Sequence, residues 1–469
     1  MAKPTRIRFL VLAWVGTGAA CAYLTRVALA AANTTIQSEL ELTDLQMGDV
    51  LAAFFVGYLI FQIPGGWLGV RFGRRATLAG LAACGSVATV WTAMADGMPG
   101  LRYSRIILGL AQAGMVPCTA SVLKDWISEK NRGMASAIVT SSMSVGAVVA
   151  SGLTAILLPV ASWRIVLAAY AAVGLLWAIG FYVWFRNRPE EHPQVNTEEL
   201  AIIRSKAVAK NGVSSPAIKA DQSTDDPQAT ENASEEINQT AFNPPLKPTA
   251  MQITLILLSS LNMWAICGQA FSRAFGYLFF ITWFPAWLER GRGAEVTNAG
   301  LLSMIPLAAF VTGCLSGGLL IDWVLKKTNS KWLSRCGLSA AVLALSALCT
   351  VLATVATGPV SAAIVIGLGA FFSGLGAPAM WAATLDVGGT LTALIFGIMN
   401  MAGVSAGVVC PKIVGLMFDW IDRTGGDWNL VLYLFASVYL VGTVCWVIIN
   451  PNRTIVSEAD SIQPAADGA

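Results

Sequence analysis

The sequence predicts an all-α membrane protein: twelve transmembrane helices arranged as two six-helix pseudo-repeats. Three observations point there. Of the 469 residues, 55% are apolar and only 12% are charged, about half the quarter or so that a water-soluble chain carries. The apolar residues gather into stretches of the ~20 helical residues needed to cross a hydrocarbon core of ~30 Å. A loop rich in glycine and basic residues also recurs six spans after its first appearance.

The same composition excludes several classes. A net charge of +3 is too small to argue for nucleic acid. The nine cysteines fall singly inside apolar runs, with no CxxC pair, and read as small buried hydrophobes. The single histidine, His192, lies in a polar stretch, so a histidine-based metal site or a Ser-His-Asp triad has no raw material. No catalytic residue, metal or cofactor is expected, and an enzyme is the least favoured class.

The spans lie near residues 9–31, 47–70, 76–95, 101–123, 134–158, 164–185, 262–288, 299–325, 333–356, 359–383, 391–418 and 429–449. Basic Lys3, Arg6 and Arg8 before an apolar run, then Ala28-Leu29-Ala30, imitate a cleaved signal peptide. Cleavage would leave eleven spans and discard Arg26, so the run reads as span one. Lys and Arg stay on the cytoplasmic side. With the N-terminus inside, inner segments hold 21 of the 30 basic residues, so both termini are expected in the cytoplasm. Trp126, Trp163, Trp287 and Trp420, at span ends, are expected as interfacial anchors.

Residues 187–250 break the pattern, with ten acids, six bases and few large apolar residues. Such a segment buries too little to offset its chain entropy. A short helix at 197–206, capped by Thr197 with Glu198 and Glu199 in its first turn, is expected within an otherwise disordered tether. The expected organisation is therefore an N-terminal bundle (1–186), a cytoplasmic linker (187–250), a C-terminal bundle (251–450) and a cytoplasmic tail (451–469).

The halves repeat. After span two comes Gly65-Gly66-Trp67-Leu68-Gly69-Val70-Arg71-Phe72-Gly73-Arg74-Arg75; after span eight come Gly317-Gly318 and Asp322, then Lys326-Lys327. The glycines allow close helix approach, and the charges can bond helix ends across the inner gap. Gly66, Arg71, Arg74, Arg75 and Asp322 are the expected gating residues. Two such halves with a site between them describe a rocking transporter. The stripes Ser142, Gly146, Ala150 and Gly403, Gly407 read as close helix contacts.

Intramembrane cations carry the functional reading. An ionised Arg in the bilayer core costs ~2.5–3.5 kcal/mol on insertion scales, so it faces a wet cavity or a partner. Asp96, Asp125, Asp322, Asp386 and Asp419 all lie at span ends, leaving Arg26, Arg105 and Arg273 short of acidic partners. Arg26 and Arg105 both fall roughly 6–8 Å below the outer boundary, and Arg273 lies near the middle of span seven, one turn before Tyr277. Uncompensated guanidinium groups suit an anion, and Arg grips a carboxylate bidentately.

Twelve spans, the central linker and the paired loops resemble the major facilitator superfamily; Val70 stands where the first loop usually has an acid. Tyr23-Leu24-Thr25-Arg26 resembles the Tyr-x-Asp-Arg of its anion:cation symporter family, which includes bacterial sugar-acid and hexuronate permeases, sialin and the vesicular glutamate transporters. Tyr58 through Gly65-Gly66-Trp67, then Arg105, Gly109, Gln112, Ala113, Pro117, Trp126 and Arg132, follow the same family's second and fourth spans. Arg273 matches an arginine of the vesicular glutamate branch. The resemblance implies cotransport of a small carboxylate held by Arg26 and Arg105, with Tyr23, Tyr58 and Asn400 as polar contacts.

The departures are at the coupling positions. Proton-coupled members carry acids where this chain has Thr25 and Gln112, and neither can titrate. Na⁺ coupling through neutral oxygens, anion exchange or uniport, and H⁺ coupling through another group such as Lys412 all stay open. The expected protein is a monomeric inner-membrane importer of a sugar acid or similar carboxylate, with the lipid bilayer and no nucleic acid as partner. A multidrug exporter would need a midplane acid for its cation, and a non-transporting sensor would bind the anion without flux.

Overall fold

A computed structural model of the protein describes residues 4–128, 132–204, 250–388 and 392–455. The side chains of Val70 and Arg132 lie outside what is described, as do linker residues 205–249, where disorder is expected, and tail residues 456–469.

The described chain is helical, without strands. The first half comprises α1 (Ile7–Ala31), α2 (Asn33–Leu40), α3 (Asp44–Arg71), α4 (Arg74–Ala93), α5 (Met98–Ala113), α6 (Met115–Trp126), α7 (Arg132–Leu157) and α8 (Trp163–Trp184), followed by the short α9 (Thr197–Arg204). The second comprises α10 (Ala250–Ser259), α11 (Leu261–Thr282), α12 (Phe284–Arg292), α13 (Val296–Leu302), α14 (Met304–Thr328), α15 (Leu338–Leu352), α16 (Pro359–Leu375), α17 (Ala377–Gly388), α18 (Thr392–Thr424) and α19 (Asn429–Ile448). Side-chain caps set several starts: Thr43 and Gln46 form a capping box on α3, and Ser162 and Ser260 cap α8 and α11.

Eleven helical stretches among the described residues are long and apolar enough to cross a membrane. The twelfth span is α11, which has the length but carries Asn262, Gln269 and Arg273. Its shortfall in apolarity comes from polar groups that include a candidate site residue.

Each half contains the same packing device. The span α5–α6 is interrupted at Gly114, where a Cβ on Gly65 of α3 would come within 2.5 Å of the Gly114 Cα. The span α16–α17 is interrupted at Gly376, and a Cβ on Gly317 of α14 would meet the Leu375 carbonyl oxygen at 2.2 Å. Gly65 and Gly317 therefore allow the close crossings. Gly66 has ordinary clearance of 3.4 Å to Pro117, and Gly318 faces open space.

The halves meet along α3 and α18, along α7 with α13 and α14, and where α1 touches α11. Hydrogen bonds and ion pairs between them gather at one end. Arg290 bonds Asp44 at 2.5 Å, Asp422 at 2.9 Å and Gln37 at 3.0 Å. Asp419 accepts the N–H groups of Asp44 (2.9 Å) and Leu45 (3.0 Å), so α18 caps the first turn of α3. Lys412 pairs with Asp49 at 2.7 Å. Glycines close the seam: a Cβ on Gly48 would lie 2.5 Å from the Pro411 carbonyl oxygen, and one on Gly415 at the same distance from that of Asp44. We call this the latched end.

Three expectations need correction. Residues 187–204 are folded: His192 packs between Trp126 and Trp184, and buried Glu199 accepts the Arg6 and Arg8 N–H groups at the start of α1 and pairs with Arg8 at 2.8 Å. The α9 cap is Asn196, whose Oδ1 accepts the Glu199 N–H at 2.9 Å; the Thr197 hydroxyl turns to Glu198 instead. Trp126, Trp163 and Trp287 are fully buried, and only Trp420 of that set is exposed. The Trp163 indole donates to Glu39 and that of Trp287 to the Trp428 carbonyl, so helix packing has claimed their polar ends.

Candidate functional site: a cationic cavity between the halves

Helical geometry sorts the polar residues of α1. Tyr23 and Arg26, three apart, share one face, while Thr25 lies about 100° round the helix from Arg26 and about 160° from Tyr23. The first face lines a central cavity of two lobes that share Tyr23 and Arg26. One lobe, about 520 Å³ of empty space, runs along α1 past Tyr58, Gln112 and Met143 to Val15, Leu78 and Thr119, away from the latched end. The other, about 620 Å³, is completed by Arg273, Tyr277, Asn400 and Gly403 of the second half.

Arg26 sits among four aromatic rings. Its guanidinium carbon is 4.5 Å from the ring centroid of Phe54, 4.8 Å from Phe55, 5.0 Å from Tyr23 and 5.7 Å from Tyr58. At such distances each ring face attracts a cation by ~0.5–2 kcal/mol. The rings stabilise the charge without neutralising it. Arg26, Arg105 and Arg273 take part in none of the ion pairs found among the described residues. The Nε of each is buried without a partner there.

Arg105 is 3% exposed and lines neither lobe. It lies behind Phe54, 5.2 Å from that ring, and its Nη2 donates to the Arg26 carbonyl at 3.0 Å. It supports Arg26 from behind rather than reaching the cavity. Arg273 faces the cavity and is steadied by a 3.2 Å contact from Nη2 to the Met380 sulfur.

The two coupling positions come together. The Gln112 side-chain amide donates to the Ala22 carbonyl at 2.9 Å and to the Thr25 hydroxyl at 3.2 Å. A neutral hydrogen-bonded pair thus stands there. Lys412 belongs to the latch with Asp49, not to the cavity. Of the loop residues, Arg74 pairs with Asp125 at 2.8 Å. Arg75 donates to the Tyr182 carbonyl at 2.6 Å and lies over that ring. Arg71 and Asp322 are exposed. The second half answers Arg74–Asp125 with Lys331 and Arg335 on Asp386, at 3.6 and 3.5 Å.

Sequence reasoning missed Phe54 and Phe55, and the latch residues Asp44, Asp49 and Arg290. Adjacent Phe residues in an apolar span look like any lipid-facing pair. Their only sequence signal is that they lie about one helical turn before Tyr58.

Twelve spans, two crossings of one design and a cavity between the halves define the fold class of a two-bundle membrane transporter. The chain matches the Major Facilitator Superfamily over residues 15–411 and belongs to it. It is a multi-pass transporter and not an enzyme. A probable sulfoacetate transporter of Cupriavidus necator is 28% identical over 93% of this chain and 92% of its own length. A probable galactarate/D-glucarate transporter of Escherichia coli is 25% identical over 95% of both chains. The hexuronate transporter of Bacillus subtilis is 26% identical over 92% of this chain and 93% of its own. A crystal structure of a bacterial homologue of the human lysosomal transporter Spinster has the same fold, with a TM-score of 0.65, 17% identity and 98% of both chains covered.

Proposed function

We propose that this protein imports a small organic acid across a bacterial inner membrane, its halves 1–186 and 251–450 rocking about the central cavity. The carrying observation is that Arg26 and Arg273, one from each half, line a single lobe with no carboxylate partner among the described residues. An anion bridging them would bind both halves at once, which alternating access needs. Tyr23, Tyr58 and Asn400 supply hydroxyl and amide groups suited to a hydroxylated acid. Two fixed cations favour an acid anionic at both ends, and sulfoacetate and galactarate, named for two relatives, are of that kind. Arg105 acts by holding the Arg26 backbone.

With both termini cytoplasmic, the latched end faces outward, and the lobe through Val15 and Thr119 leads to the cytoplasm. The neutral Thr25–Gln112 pair disfavours the two-carboxylate proton route and favours Na⁺ coupling, anion exchange or uniport over it. Uptake of labelled sulfoacetate, D-glucarate, galactonate and hexuronate into proteoliposomes, with pH, Na⁺ and voltage gradients imposed separately, tests this. Saturable uptake of an acid that a pH gradient alone does not drive is expected. Uptake of none of them, or transport of organic cations instead, contradicts it.

A further inference from the structure

We propose that Phe55 is a positioning residue: seated on Gly407 of the opposite half, its ring orients the Arg26 guanidinium and ties anion affinity to closure of the latched end. The inference rests on reading Arg26 as the anion-binding group.

Phe55 is 5% exposed and touches both sides of the machine. Toward the site, its ring centroid lies 4.8 Å from the Arg26 guanidinium carbon and it lines the lobe shared with Arg273. It stands edge-on to Phe54, at 5.1 Å and 87°, and Phe54 in turn contacts both Arg26 and Arg105. Toward the second half, the ring packs on the bare backbone of Gly407 in α18. A Cβ there would fall 2.1, 2.2 and 2.5 Å from three atoms of the Phe55 ring, so no larger residue fits without displacing it. Gly403, one turn back, faces its own half with its nearest neighbour at 3.6 Å. The seat is specific to Gly407.

The seam that brings Gly407 onto Phe55 is the one that must part when the latched end opens. Parting α18 from α3 removes one wall of the ring's pocket and frees the ring to turn. The guanidinium then loses an orienting face, and the site's affinity differs between its two access states. Linkage makes the effect reciprocal: an anion held by a well-oriented Arg26 favours the closed seam.

The test uses the full-length protein reconstituted in lipid. Spin labels at E41C and R423C, both exposed near the latched end, report the distance between halves after accessible native thiols are replaced. Uptake of labelled sulfoacetate and D-glucarate gives KM. Gly407→Ala is expected to add a longer component to the distance distribution and to raise KM about five- to tenfold, the scale of one lost cation–π contact. Phe55→Leu should raise KM similarly while keeping the closed distance, and Phe55→Tyr should hold KM within about twofold. The double variant Gly407→Ala/Phe55→Leu should regain the closed distance with no further rise in KM, because the clashing ring is gone. Gly403→Ala, whose added methyl has ordinary clearance within its own half, should leave the closed distance unchanged. Wild-type KM in Phe55→Leu, additive effects in the double variant, or an unshifted distance in Gly407→Ala overturns the proposal. The distance arm needs no substrate. A wild-type chain that moves no acid therefore removes the anion reading, whereas an unshifted Gly407→Ala distance removes the Phe55 seat.

Discussion

Arg26 and Arg290 carry the same guanidinium in opposite company. Arg290, at the latched end, spends its donors on Asp44, Asp422 and Gln37. Arg26, in the cavity, is ringed by Tyr23, Phe54, Phe55 and Tyr58 and meets no acid among the described residues. A cation matched with carboxylates has satisfied itself and fastens two helices. A cation matched with ring faces is stabilised but still wants an anion, because a ring quadrupole neither accepts a strong hydrogen bond nor cancels the charge. Counter-charge, more than depth in the membrane, separates these two arginines.

Removing one cation of each kind, the unpaired Arg273 of the cavity and the paired Arg290 of the latch, should expose the contrast. Arg273→Gln is expected to lower uptake of doubly charged acids by about tenfold or more while leaving the folded chain as stable as wild type, since no ion pair is lost. An equal loss for singly and doubly charged acids would show that Arg273 does not hold a second anionic group. Arg290→Ala should do the reverse, leaving buried Asp44 uncompensated at about 1–3 kcal/mol, discounted from the fully buried case because the Arg290 side chain is 26% exposed. Its melting temperature in detergent should drop by several degrees, with substrate affinity falling less than in Arg273→Gln, since the anion's own contacts are kept and only the closed seam is weakened. A stable Arg290→Ala chain would mean that the glycine seam alone closes the latched end.

A smaller change sharpens the comparison inside the site. Gln112→Glu places a titratable group against Thr25 and the Ala22 carbonyl. Uptake by this variant should respond to an imposed pH gradient severalfold more than wild type. An unchanged response would show that an acid here is insufficient for proton coupling.

The smallest expected effect lies outside the membrane. Burial between two tryptophans, with Arg186 adding to it, holds the His192 pKa below its ordinary value. The docked segment therefore favours neutral imidazole, and its stability is retained above the unfolded pKa of about 6.5 and lost as pH falls through the lower folded value. Amide protection factors in residues 195–204, taken relative to intrinsic exchange at each pH, should fall between about pH 7 and pH 5, and His192→Gln should flatten that dependence. Protection that rises as the pH is lowered would contradict the assignment.

Much of this was legible in the sequence because it rests on composition and spacing. Span length, the basic-residue bias and the repeated loops are one-dimensional signals. The isolation of Arg26 and Arg273 could be inferred from the lack of nearby mid-span acids. What escaped depends on pairing across the chain. Asp49 and Lys412 are 363 positions apart, so neither announces the other. Arg105 looked equivalent to Arg26 by depth, and only the interposed Phe54 ring reveals that it stands behind the site. The first part of the linker was misjudged by averaging: residues 187–204 contribute an aromatic-packed histidine and a buried glutamate that a composition count over 187–250 dilutes.

The sharpest single measurement is equilibrium binding of sulfoacetate, D-glucarate, galactonate and hexuronate to the purified protein, wild type against Arg26→Lys. Lysine keeps the charge inside the rings but loses the planar fork that grips a carboxylate or sulfonate. Saturable binding of at least one acid by the wild type, weakened about tenfold or more in Arg26→Lys at an unchanged melting temperature, is the predicted result. Wild-type affinity in Arg26→Lys, or no acid bound by either protein, would contradict it.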